Sequence, residues 1–545
     1  MNALDERTHE VTNQVPALEG YDAFGDDPWL EGAVRRTSAG WIAAAASDLG
    51  RYVGSAEAQH HAALANIYTP QLKTHDRVGN RIDLVEYHPS YHVLMRRALG
   101  AGLHSLAWKR DDGGFAARAA LFYLWNQLEQ GTACPVTMTF ASIAVLDYAP
   151  DLAAEWRPRI LADGYDPEPK PVLRKAGATV GMAMTEKQGG SDLRAVQTVA
   201  ERSGERWRLT GHKWFCSAPM SDAFFTLART AEGVSCFFVP RSLPGGARNP
   251  FLIQRLKDKV GNRSNASAEI EFRDTEAWPV GEPGRGIATL INMAHHTRFD
   301  IVVGVAGMMR AALNQAVHHA SHRAAFGKRL EEHPLMAKVL ADLALEAESA
   351  TLLAFRLAAA FDASKTNPQE AQLQRALTPV AKYWLCKRMA AVAAEAMECW
   401  GGNGYVEESS LARLYREAPL NGIWEGSANV ICLDALRAFK RSPEALAALA
   451  DEIAAAPDPR VARRMRHVET MLADPSTAEA NARRIVEQLA TCTAASLMLR
   501  YSHEGSAEAF CASRLDCGAG LAFGALDIAE GEARAIVARS RLRGR

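Results

Sequence analysis

Paired cysteines are missing. The nine cysteines are scattered over 545 residues and no CxxC pair occurs. An odd number without paired spacing argues against a disulfide scaffold and for a reducing compartment. A dominant charge is missing too, since the net charge is −1. No global field draws the chain to nucleic acid or to an anionic membrane, so any DNA binding must come from a local patch. The longest strongly apolar stretch, near Ile301–Met309, falls far short of a membrane span. The leading MNALDERTHEVTNQ has acidic residues and no apolar core, so it does not read as a secretory signal. A cytoplasmic location is expected. No internal repeat or low-complexity tract is visible.

What is present is an ordinary globular composition, 48% apolar and 23% charged, in a chain too long for one domain. Met1–Gly32 reads as a polar, extended arm. From Ala33 to Arg174 the period is helical, with apolar faces at Val93, Leu94, Ala98 and Leu99 and at Ala117, Ala120, Leu121 and Leu124. Cys134–Leu146 reads as a buried helix, with Pro135 and Pro150 as punctuation. From Gly181 the period becomes two. Trp207 and Leu209, then Val234, Cys236 and Phe238, then Ala268, Ile270 and Phe272 mark strands of a small β domain running to about Arg285. From Gly286 helices return. Val302, Val305, Met309, Ala312 and Ala316 line one face, and Met336, Leu340, Leu343, Ala347, Ala350, Ala354 and Leu357 another. Pro368, Pro379 and Gly401-Gly402 are expected to divide this region. The predicted units are 1–180, 181–285, 286–440 and a further helical segment, 441–545. Asp451-Glu452 and Glu346–Glu348 read as solvated helix faces. His295-His296 and His318, His319 and His322 have spacings compatible with a metal, but no acidic or cysteine partner completes a site, so no metal is expected.

Three stretches carry chemistry. In Gly181–Ser217, Thr185 and Ser191 offer hydroxyls. Gly189 and Gly190 clear side chains where backbone amides must approach a phosphate. Trp214 supplies an apolar plate beside Cys216 and Ser217. TEKQGGSD followed by KWFCS resembles the TEPGAGSD…KxWITN signature of the acyl-CoA dehydrogenase superfamily. Lys187 and Gln188 replace that family's Pro-Gly, and Gly189 its Ala. Glu398–Val430 is similar to the family's QxFGGxGY…R(D/E)A…IxEGT block, and HRAAFGKRL (His322–Leu330) to its RxxFG motif. Pro334 departs from the family's Gln.

The resemblance implies a mainly α fold with a central β domain: an N-terminal helical domain, a β-barrel-like middle domain and a C-terminal four-helix bundle, here with an extra helical domain. It implies FAD as cofactor and an acyl-CoA thioester as substrate. Glu425 falls on the position of the glutamate base that removes the α-proton. Met182, Met184, Thr185, Gly190, Ser191, Trp214, Cys216, Ser217, Ile423, Gly426, Ser427 and Asn429 fall on flavin-binding stretches. Arg323, Phe326, Gly401 and Gly402 fall where the family reaches a partner's FAD. Thr297 and Arg298 fit the pattern near flavin or acyl-CoA.

LKDKVGNRSNAS (Leu256–Ser267), LTPVAKYWLCKR (Leu377–Arg388) and IWEGSANVICLDALR (Ile423–Arg437) narrow the resemblance to a bacterial alkylation-response branch of the superfamily. That branch implies a homotetramer, weak dehydrogenase activity on thioesters such as isovaleryl-CoA, and non-specific binding of double-stranded DNA through the extra segment. Residues 440–545 hold 15 Lys+Arg against 14 Asp+Glu, so the segment is nearly neutral. Its basic residues cluster, however, at Arg437, Lys440 and Arg441, at Arg460, Arg463, Arg464 and Arg466, at Arg483 and Arg484, and in the tail Ala538–Arg545. Two functions stay open: a metabolic acyl-CoA dehydrogenase, and a DNA-associated flavoprotein with residual dehydrogenase chemistry.

Overall fold

A computed structural model describes residues 8–516 and 522–544. The N-terminal region builds α1 (Pro28–Arg35), α2 (Ala43–Val53), α3 (Ala56–Ile67), α4 (Pro89–Gly100), α5 (Leu106–Lys109), α6 (Gly114–Leu128), α7 (Ala133–Leu146) and α8 (Pro150–Ile160). α6 is mostly apolar and buried along its whole length, with its charged Arg118 paired to Asp300. Two expectations need correction here. The arm is not extended to Gly32, because Asp27 caps α1 by accepting from the Trp29 and Leu30 amides. The stretch read as helical also contains an antiparallel hairpin, β1 (Gln71–His75) with β2 (Arg81–Glu86). Asp76 fixes its turn by accepting from the Val78 and Asn80 amides.

The β domain comprises β3 (Val180–Ala183), β4 (Val199–Ser203), β5 (Arg206–Ser217), β6 (Ala223–Thr230), β7 (Gly233–Pro240), β8 (Phe251–Leu256) and β9 (Ser267–Val280). Its order is β3-β6-β4-β5-β9-β7, with β8 on β9. β7 also pairs with β6, which closes β6-β4-β5-β9-β7 into a barrel-like ring. Phe224, Phe237, Phe251 and Phe272 fill a core of its own.

The helical bundle is α9 (Gly286–His322), α10 (Pro334–Ala363), α11 (Pro368–Cys399), α12 (Ser410–Glu417) and α13 (Ala428–Arg441), with a short hairpin, β10 (Ala324–Ala325) and β11 (Lys328–Arg329), after α9. α9, α10 and α11 pack on one another and α13 lies on α11. Pro379 divides nothing. It sits inside α11, where burial against these neighbours outweighs one lost ladder hydrogen bond.

The last segment forms α14 (Pro443–Ala454), α15 (Pro459–Ala473), α16 (Pro475–Ala478), α17 (Ala482–Tyr501), α18 (Glu504–Leu515) and α19 (Glu530–Ser540). It docks on the bundle through the acidic residues read above as solvated, which is a further correction. Glu346, Glu348 and Glu452 are buried. Arg514 of α18 pairs with Asp342 and Glu346, and Arg388 also reaches Glu346. Arg356 of α10 and Arg500 of α17 converge on Glu452. Burial alone would raise these carboxyls; Arg514 and Arg388 at Glu346, and Arg356 and Arg500 at Glu452, overcome it and hold both below the usual range, whereas burial raises Glu348. The basic tail is consumed the same way: Arg539 pairs with Glu532, Arg541 with Glu331 and Arg543 with Glu31. Arg545 and Cys517 lie outside the described residues. The other eight cysteines are buried and unbridged. Among the described residues, no helix is long and apolar enough to cross a membrane.

Candidate functional site

The loop after β3 is fastened to β5 by a buried ion pair. Glu186 and Lys213 meet at 2.7 Å with neither side chain exposed. The Trp214 amide donates to the Thr185 carbonyl at 2.8 Å. A Cβ on Gly190 would stand 2.5 Å from Thr185 Oγ1, so the loop folds this closely only with glycine there. Met182 is buried, Met184 and Thr185 are half-buried and Ser191 is exposed. Cys216 is fully buried in the β core, so its thiol is turned away from any ligand. Trp214 is half-buried with Lys257 Nζ 3.5 Å from its ring centroid. Phe215, which sequence reasoning passed over, is 49% exposed. The ladder to β9 shifts between Lys213 and Cys216, so simple alternation could not say which ring faces out.

Glu425 has φ +55, an unusual conformation for a glutamate, and the loop around it is held from behind. Arg298 Nε donates to the Glu425 carbonyl at 2.9 Å. Lys382 Nζ donates to the Trp424 and Gly426 carbonyls at 2.8 and 2.6 Å. Two cations from α9 and α11 thus pin three successive carbonyls, and Asp434 fixes Arg298 in turn at 2.8 Å. The carboxyl itself is left over. Its Oε2 is buried and accepts no hydrogen bond. Burial pushes the Glu425 pKa up, opposed in part by the Thr297 hydroxyl, Arg298 and Lys382.

The two motifs meet at Cys134. Burial raises its thiol to about 12, with Lys259 and Glu425 close enough to act on it and Ser217 and Asn265 in hydrogen-bond range. Lys259 Nζ donates to the Asn265 carbonyl at 2.6 Å and to Ser267 Oγ at 3.0 Å, and Ser267 stands 3.3 Å from Ser217. Burial brings Lys259 down to about 8. Lys259, Lys382 and Cys134 were not singled out from sequence, where a lone lysine or cysteine carries no signal. A cavity of about 430 Å³ opens beside Pro135 and Ala218, the neighbours of Cys134 and Ser217, and is walled by Tyr87, Tyr91, Met95 and Met220.

Arg323, Phe326, Gly401 and Gly402 are not brought to this place. Arg323 follows Arg298 by 25 residues along α9, about 37 Å at 1.5 Å per residue. Gly401 and Gly402 end α11 beside it, where Trp400 stacks on His319 with centroids 4.6 Å apart. Phe326 is 97% exposed there. Ile423 and Ser427 are exposed beside Glu425, and Asn429 accepts from Arg483 Nε at 2.7 Å. Of the six residues predicted for DNA, Arg463 pairs with Asp516 and Arg464 donates to the Leu515 carbonyl. Arg437, Lys440, Arg441 and Arg466 are exposed. His296 and His322 each hydrogen-bond a backbone carbonyl one turn earlier.

A carboxyl with one oxygen unpaired on a pinned loop and a glycine-bordered cradle, on a helix–barrel–helix frame, define an acyl-CoA dehydrogenase-type flavoprotein. Residues 13–167 match the Adaptive response protein AidB N-terminal domain, 181–275 the acyl-CoA dehydrogenase middle domain and 284–439 its C-terminal domain. The chain belongs to the acyl-CoA dehydrogenase family, whose members are FAD-dependent oxidoreductases. It is 43% identical to the acyl-CoA dehydrogenase-type protein AidB of Escherichia coli (strain K12), over 94% of this chain and 96% of that one. It is 30% identical to acyl-CoA dehydrogenase family member 11 of Caenorhabditis elegans, over 79% of this chain and 73% of the relative. The crystal structure of C. elegans ACDH-11 in complex with C11-CoA superposes with a TM-score of 0.84 at 25% identity, covering 96% of this chain and 95% of that one.

Proposed function

We propose that this chain oxidises an acyl-CoA thioester with Glu425 as the base. The observation that carries the reading is the Glu425 carboxyl, buried and unpaired at Oε2 on a loop whose carbonyls are pinned. Arg298 and Lys382 bind the loop's carbonyls directly and reach the carboxylate only through space, so it stays available for a proton. Its raised pKa brings it closer to the working pH, where a base is most effective. It takes the proton from the carbon α to the thioester carbonyl. The complex of the C. elegans relative with C11-CoA supports a thioester ligand. A short branched acyl chain such as isovaleryl is the substrate class proposed.

The residues present fit FAD. The cradle at Gly190, the hydroxyls of Thr185, Ser191 and Ser217, the exposed Phe215 ring with Trp214, and the turn Gly426-Ser427 are the groups proposed to hold it. Met182, Met184, the backbone of Cys216, Ile423 and Asn429 are assigned to its border. When bound, FAD supplies the acceptor for the hydride that leaves the β-carbon. Arg323, Phe326, Gly401 and Gly402 serve a partner's cofactor in a homotetramer, a role supported by their distance from Glu425 along α9 and by the full exposure of Phe326. Anaerobic titration with isovaleryl-CoA checks the base. Glu425→Gln is expected to keep FAD and abolish bleaching, and unchanged bleaching would remove Glu425 from the role.

A DNA-associated role in the alkylation response, within the cytoplasm, is supported by the likeness to AidB over nearly the whole chain. The exposed cluster Arg437, Lys440 and Arg441 is the patch proposed for duplex phosphates, with Arg466 a further exposed candidate; Arg463 and Arg464 are committed within the chain. Replacing Arg437, Lys440 and Arg441 with Ala should flatten the dependence of log K on log salt by up to about 2.7. A slope unchanged from the parent would reject that patch.

A further inference from the structure

A second cavity of about 430 Å³ lies between α3, the loop before β9 and the start of α12. It has no part in the chemistry above. Three guanidinium groups line it: Arg263, Arg413 and Arg416. Arg416 is answered by Glu407 at the rim, and Arg263 reaches Asp258 only at 3.4 Å. Arg413 is different. Its one hydrogen bond among the described residues runs from Nη2 to the Leu128 carbonyl at 2.7 Å, and it pairs with no carboxylate. Glu408 stands on the same wall, and the Glu129 and Glu417 carboxyls act on Arg413 through space without pairing with it. Arg413 projects from the first turn of α12, whose N-terminal amides add positive potential. Ser409 caps only the Leu411 amide.

A second observation is independent of these charges. Gln59, Ser410 and Arg413 also wall a small adjoining cavity of about 20 Å³. Its floor carries buried amides with no partners: both Nε2 and Oε1 of Gln127, Oε1 of Gln130 and Nδ2 of Asn314. These residues are 8%, 6% and 6% exposed. Buried polar groups are ordinarily paired, and four orphans on one floor mark a place where something else supplies the hydrogen bonds. Two are donors and two are acceptors, so water alone or a ligand with both functions satisfies them.

We propose that the paired cavities bind a phosphate monoester of a small polar molecule, of nucleoside monophosphate size. The phosphate sits against Arg413, Arg263 and the α12 N-terminus, for which bidentate guanidinium donors suit a phosphate. A single hydroxyl of the polar end reaches into the amide-floored recess, whose volume of about 20 Å³ admits no larger group. A volume of about 430 Å³ matches such a molecule and falls within the usual range for ligand sites.

The test is calorimetric titration of the FAD-loaded protein with inorganic phosphate, ribose 5-phosphate and adenosine 5′-monophosphate. Saturable binding of a monoester with a Kd below about 1 mM is expected, tighter than phosphate alone and weakened by salt. Arg413→Gln should lose at least about tenfold in affinity. Arg263→Gln, whose guanidinium is partly exposed, should lose affinity in the same direction. Gln127→Leu should weaken the monoesters and leave phosphate unchanged. The flavin spectrum should be unaltered in all three variants. No saturable binding of any probe, or binding indifferent to Arg413 and Arg263, would overturn the site. Binding of phosphate equal to that of the esters would overturn the role of the amide recess.

Discussion

Lys213→Met would leave Glu186 ionised with no cation to answer it. The pair is fully enclosed, and Lys213 Nζ also donates to the Leu227 carbonyl at 2.8 Å. Glu186 accepts from the Gln197 amide at 2.6 Å, from the Thr198 amide at 3.2 Å and from Thr198 Oγ1 at 2.6 Å. Burial by itself would raise the Glu186 pKa, but the Lys213 charge and these hydrogen bonds overcome it and bring it from 4.5 to about 2. That depression corresponds to about 3 kcal/mol, within the range of about 3–5 kcal/mol for removing one partner of a buried pair. The sign follows from the direction. A depressed carboxylate contributes in full above its unfolded pKa near 4.5 and loses the contribution as pH falls towards 2. The loss in Lys213→Met therefore shows at neutral pH and shrinks in acid. Because the chain has several folding units, the assay is native-state hydrogen exchange of β5 and residues 185–191, which reads local opening directly. Local opening should become easier by about 3 kcal/mol, and FAD should dissociate faster. Glu186→Gln combined with Lys213→Met should recover much of the loss, since a neutral amide needs no counter-charge. Additivity of the two changes within about 0.5 kcal/mol would refute the reasoning.

Two further outcomes follow from the same physics. The rate of thioester-dependent flavin reduction should fall as pH drops through a value above the ordinary 4.5 of a glutamate, because protonated Glu425 is no base; a single-turnover pH profile with no such limb would contradict its burial-raised pKa. Arg514→Met removes a cation from buried Asp342 and Glu346, so limited proteolysis should cut α18 and α19 free before the bundle is attacked, at a cost of about 3 kcal/mol; an unchanged cleavage pattern would show that the salt bridges do not hold the segment.

What the sequence made legible is what local chemistry dictates. The buried helix Cys134–Leu146 becomes α7 of Ala133–Leu146, because an apolar run with no polar face has one destination. The strands of the β domain appear where period two appears. The hairpin β1–β2 was hidden because both strands are short and largely half-exposed, with too few apolar alternations to outweigh the helical surroundings. Glu425 was found through its motif, but what holds its loop came from elsewhere: Arg298 lies 127 positions away and Lys382 lies 43 away. The acidic pairs at Glu346 and Glu452 were misread for the same reason. A charged residue on a helix looks solvated until a distant segment returns to cover it, and the arginines that do so, Arg500 and Arg514, stand in the last helical segment. This bears on function. A nearly neutral segment whose basic residues cluster in sequence spends much of that positive charge on its own bundle. The DNA binding proposed above therefore rests on the cations left exposed, among them Arg437, Lys440, Arg441 and Arg466, rather than on composition.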